Sequence, residues 1–94
     1  MHPSQAEGFE WDDGNEGELA RHHVNAVEVE QVFGNEPRWF KNRKSGSGDW
    51  QMLGRTHGGR ILTIIVLWKE EELTLRPVTG WDATDGDRTR LLRR

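Results

Sequence analysis

Ile61-Leu62-Thr63-Ile64-Ile65-Val66-Leu67-Trp68 constrains the fold more than any other stretch, being almost unbroken in β-branched and large apolar residues. A run of this length between turn signals reads as a strand buried on both faces, and it predicts the central strand of a sheet. Ahead of it, Trp50 to Arg55 alternates apolar with polar residues, and Thr56-His57-Gly58-Gly59 separates the two segments. Gly-Gly supplies the positive φ that tight hairpins need, so a β-hairpin is expected. Arg55 and Arg60 flank its turn.

The rest of the chain reads as elements packed on that hairpin. Residues 1 to 7 have the look of a frayed tail. Phe9-Glu10-Trp11 alternates as a short strand, and Asp12-Asp13-Gly14-Asn15 is turn chemistry. Glu16 to His22 forms a short helix with acids first and Arg21 and His22 last, the polarity its dipole favours. Asn25 and Glu28 make a capping box for a second helix, in which Val29, Val32 and Phe33 share one stripe and Gly34 takes the C-cap. Arg38 to Arg43 is expected to pair with Trp50 to Arg55 across a flexible Ser/Gly loop. Leu73 to Thr79 forms a last strand in which Pro77 must face an edge or a bulge. Thr84 and Asp87 cap a terminal helix that ends in basic residues. The sum is a single α+β domain over residues 1–94: strand, two helices, four antiparallel strands and a helix, with the helices gathered on one face.

Composition narrows the function. With 94 residues there is room for one modest core. The absence of Cys rules out disulfides and thiolate metal sites and fits a reducing cytoplasm. No apolar run reaches a membrane-spanning length, and the N-terminus carries no secretory pattern, so a cytoplasmic location is expected. Residues 1–36 hold nine Asp and Glu against one Arg, a net of −8, while residues 37–94 hold twelve Lys and Arg against seven acids, a net of +5. Such asymmetry suggests a polyanion for the basic part and either water or a basic partner for the acidic part.

Several segments together resemble the BrnT family, the toxins of bacterial type II toxin-antitoxin pairs. They are Phe9-Glu10-Trp11-Asp12, Asn15, Leu19-Ala20-Arg21-His22-His23-Val24, Glu28 to Phe33, Leu53 to Leu62, Leu75-Arg76-Pro77-Val78-Thr79 and Ala83-Thr84. The resemblance spans roughly residues 9 to 92. It implies a RelE-like fold over residues 8–92 and a ribonuclease acting on RNA, free or ribosome-associated. It also implies neutralisation by a cognate antitoxin, through which a larger oligomer can assemble. Two positions depart from the family pattern. His22-His23-Val24 stands where His-Gly-Val is usual, and Thr79-Gly80-Trp81 stands where Ser-Ala-Arg is usual, which removes a basic residue from the expected active face.

Metal-independent RNA cleavage uses the 2′-hydroxyl as nucleophile. The protein must take its proton, hold the extra charge of the phosphorane and let the 5′-oxygen leave. The candidates are Arg55, Arg60 and Arg76 for charge, with His22, His23 or His57 for the proton, His22 first among them, and Lys41, Arg43, Lys44 and Trp81 for binding RNA; no metal or cofactor is expected. Each has a plainer reading. Arg55 and Arg60 are equally at home in a solvated turn, Arg76 in an ion pair with Glu70 or Glu72, and His22 as a complement to a helix dipole. The tryptophans can be core or partner interface as readily as stacking platforms. A binding module of the same fold without catalysis is the rival to the nuclease. The nuclease reading requires the three guanidinium groups to converge.

Overall fold

The computed structural model describes residues 1–42 and 48–93. Its elements are β1 (Gly8–Phe9), α1 (Asp13–Ala20), α2 (Ala26–Gly34), β2 (Arg38–Lys41), β3 (Trp50–Arg55), β4 (Ile61–Lys69), β5 (Thr74–Asp82) and α3 (Asp85–Leu92). The strands form one sheet in the order β1-β5-β4-β3-β2, so the apolar run does lie at the centre. Arg38 stands opposite Leu53 and Lys41 opposite Trp50, and the hairpin brings Arg55 opposite Ile61. At its turn Thr56 N–H donates to the Arg60 carbonyl at 2.9 Å, and Gly59 takes φ 89°, the left-handed conformation that favours Gly.

Two expectations about the architecture are corrected. The sheet is mixed, because β1 runs parallel to β5 with Gly8 opposite Thr74 and Phe9 opposite Leu75. Local alternation carries no information about the direction of a strand whose partner lies so far along the chain. The helices, moreover, cover both faces. Leu62, Ile64 and Val66 of β4 meet Leu19, Val24, Val29 and Val32 from α1, α2 and the corner between them. On the opposite face Leu53, Ile61 and Ala83 cluster with Phe40 and with Leu91 of α3. A strand apolar at successive positions needs cover on both sides, so the terminal helix crosses to the face that α1 and α2 leave open.

Local signals place the helix starts. Asp12, Asn25 and Thr84 each accept from the backbone N–H three residues on, which returns a side-chain bond to the cap. Gly34 lies within α2, and Asn35 is the C-cap in place of the expected Gly. α1 sits close on β5: a Cβ at Gly80 would lie 2.6 Å from Ile64 Cδ1 and 3.1 Å from Leu19 Cδ2. Pro77 lies beside the irregularity that shifts the β4–β5 register at Ile65/Val66, and its carbonyl accepts from buried Asn15 at 2.8 Å.

The N-terminal residues are docked rather than frayed. Pro3 is buried within a 3-10 turn that His2 caps, and Glu7 N–H donates to the Leu73 carbonyl at 2.8 Å. Edge-on contacts of the His2 ring with Trp39 and Trp50 hold the segment against the α1/α2 face.

Candidate functional site

Arg60 is the most heavily engaged of the predicted cations. Its Nε and Nη2 donate to the two carboxylate oxygens of Asp82 at 2.7 and 3.1 Å, while Nη1 donates to Glu28 and, at 2.6 Å, to the His23 carbonyl. The bonds to Asp82, ahead of those to Glu28, hold the guanidinium more firmly protonated than usual. Asp82 in turn lies below its ordinary value of 3.8, mainly through Arg60.

Arg76 has its own pair of acids. Its Nη1 reaches Asp12 at 2.8 Å and Glu10 at 3.1 Å, and Lys69 Nζ approaches the same Glu10 carboxylate at 2.9 Å. The ion pair with Glu70 or Glu72 is therefore replaced by one with Glu10 and Asp12. Both acids are lowered, Glu10 chiefly by Lys69 and Asp12 chiefly by Arg76.

The three arginines do not converge. Asp82, the partner of Arg60, is six residues beyond Arg76 on β5, a separation of roughly 20 Å at the rise of an extended strand. Arg55 lies opposite Ile61 and so projects on the α3 face, whereas Arg60 bonds to Glu28 on α2. Alternation along the hairpin thus sends its two flanking cations to opposite sides of the sheet. Among the described residues Arg55 is exposed and has no carboxylate partner. A phosphate approaching Arg60 or Arg76 would have to compete with two carboxylates already in place.

A different group does come together, where α1 meets β5. His22 Nε2 lies 3.3 Å from Glu18 Oε2, and the Thr79 hydroxyl donates to that same oxygen at 2.9 Å. Arg21 Nη1 takes the other carboxylate oxygen of Glu18 at 3.2 Å. The Trp81 ring stands edge-on to His22 with centroids 6.4 Å apart. Glu18 is lowered below its ordinary value, first by the Thr79 hydroxyl and then by its two basic neighbours. β1 pairs only with residues 74 and 75 of β5, so no described strand covers β5 beside Thr79 and Trp81. His22 is 39% and Glu18 34% exposed, and both are accessible to a ligand.

Of the predicted residues, then, His22 and Trp81 meet while Arg55, Arg60 and Arg76 are dispersed. Glu18 and Arg21 complete the cluster and had not been singled out. Their signal was present in the sequence, because Glu18 and His22 are spaced i,i+4 and must face each other on a helix. No family model matches the chain, and no curated protein matches it. Lys41 lies over the Trp50 ring, its Nζ 4.4 Å from the centroid, far from His22 in the sheet order. Arg43 and Lys44 lie outside the described residues. Among the described residues no three His, Cys, Asp or Glu are grouped to hold a metal ion, and no helix is long and apolar enough to cross a membrane.

What this edge can do chemically follows from its bonds. An imidazole whose Nε2–H is held by a carboxylate presents Nδ1 as a free lone pair, the arrangement of a general base. Arg21 adds a cation beside it, exposed over 78% of its side chain and, among the described residues, bonded through its side chain to Glu18 alone. Trp81 supplies an aromatic edge and face for a base.

Proposed function

We propose that the protein is a metal-independent endoribonuclease of the BrnT toxin kind, with a RelE-like arrangement, acting in the cytoplasm and held inactive by a cognate antitoxin. The observation that carries this reading is the Glu18–His22–Trp81 edge, where a carboxylate-oriented imidazole stands beside an aromatic ring and a free-ended guanidinium. His22 Nδ1 takes the proton of the 2′-hydroxyl and the 2′-oxygen bonds to phosphorus. The bond from phosphorus to the 5′-oxygen then breaks, and that oxygen leaves with a proton from water. The products are a 2′,3′-cyclic phosphate and a 5′-hydroxyl end. Arg21 meets the charge that builds on the phosphorane. In this scheme Arg60 and Arg76 are structural, because a phosphate would have to displace carboxylates already bonded to them.

A second reading is favoured by that same engagement. With its two most central arginines neutralised, the fold also suits a module that binds RNA or a partner protein without cutting. Incubating the protein, freed of any co-purified partner, with single-stranded RNA in the presence of a chelator separates the two. Cyclic-phosphate ends in the products, with a loss of roughly a hundredfold or more on His22→Gln, support the nuclease. Intact RNA, with unimpeded growth of cells producing soluble wild-type protein, supports the module.

A further inference from the structure

Between α2, β2 and the docked N-terminal turn lies a cleft of about 330 Å3 lined by Ser4, Phe33, Glu36, Pro37 and Trp39. Its walls are aromatic: the Phe33 and Trp39 rings meet edge-on with centroids 6.3 Å apart. The Ser4 hydroxyl is already paired with His2 Nδ1 at 2.8 Å, so Glu36 brings the one charged group. Its backbone is unusual, with φ 54° in the left-handed region that favours Gly, directly before Pro37. A side chain kept at such a position asks for a reason beyond the turn itself.

Glu36 is among the acids with no cation partner among the described residues, whereas Glu10, Asp12, Glu18, Glu28 and Asp82 each face one. Arg38, the nearest cation in sequence, instead donates to the Arg90 and Arg93 carbonyls at the end of α3. A carboxylate beside half-buried aromatic rings suits a cation with a flat apolar face. Guanidinium fits best, since it can stack on an indole while bonding to a carboxylate. The volume is at the small end for ligand sites and matches one side chain better than an extended molecule.

We propose that this cleft binds an arginine side chain of a partner protein, with the guanidinium on Trp39 and paired to Glu36. The one charged residue lining the cleft is an acid, so the complementary occupant is a basic side chain. The assignment is independent of whether the Glu18–His22 edge cuts RNA.

The test titrates isotope-labelled full chain with acetyl-Gly-Arg-Gly-amide and with its leucine counterpart, following the Trp39 indole N–H resonance. The arginine peptide is expected to give a saturable shift that the leucine peptide does not. Glu36→Gln should weaken it at least roughly tenfold, as loss of a charge-assisted bond does. Glu36→Gly, which suits the left-handed backbone and keeps the fold, should weaken it equally. No saturable shift, an equal response to leucine, or undiminished binding in both variants would overturn the proposal.

Discussion

On one face of the sheet α1 and α2 bury Leu19, Val29 and Val32 completely, and Arg60 closes one end with carboxylates from Glu28 and Asp82. On the other, α3 contributes no fully buried residue and is held by a Thr63–Asp87 hydrogen bond, by the stacking of Arg90 on Phe40 at 3.8 Å, and by Arg38 at its C-terminal carbonyls. The first face is thus fixed by interlocking volume and satisfied charge, the second by a few polar and cationic contacts. Bonds between residues far apart in the chain tie the helices and strands together: Glu10 and Asp12 to Arg76, Asn15 to Pro77, His23 and Glu28 to Arg60.

The sharpest test of this contrast is truncation on each side. Leu19→Ala should cost roughly 3–4 kcal/mol, because it leaves a void between α1 and β5, whereas Leu91→Ala should cost under about 1 kcal/mol at its half-buried site. Denaturant unfolding of both variants measures the difference, and equal losses would dissolve the contrast. Arg60→Ala should come next, at roughly 2 kcal/mol, since it strands two acids and a carbonyl.

Acid should probe the same joints. Glu10, Asp12, Glu18 and Asp82 are all lowered by their partners, from ordinary values of 4.5 for Glu and 3.8 for Asp. As pH falls, the unfolded chain takes up protons first, so their stabilisation is complete above those ordinary values and is lost as pH falls through the lower folded ones. The melting temperature should hold between neutrality and about pH 5 and drop below about pH 4, with a smaller drop in Arg60→Ala. The smallest effect should be a gain. His23 adopts φ 60°, in the left-handed region that favours Gly, and His23→Gly should stabilise by up to about 1 kcal/mol while leaving the carbonyl that Arg60 needs.

What was legible in the sequence was local. The capping boxes at Asn25 and Thr84, the Gly-Gly turn and the antiparallel pairing of β2 to β5 all follow from neighbours close in the chain. What was not legible depends on partners far apart. The parallel docking of β1, the crossing of α3 to the second face and the burial of Pro3 have no periodic signal. The arginine site failed for a related reason. Asp12 reads as turn chemistry and Glu10 as the polar member of a strand, and only the folded sheet brings both to Arg76. Trp81 reads as a lost arginine until α1 places His22 against it.

β1 meets its only described strand partner at residues 74 and 75 of β5. Every intervening element must therefore exist before the first strand can be zipped into place. During synthesis at about 5–20 residues per second, Phe9 and its aromatic neighbours wait several seconds without cover. Closure of that seam should be among the last events in folding, and a chain stalled before β5 should be a target for chaperones rather than a partly built sheet.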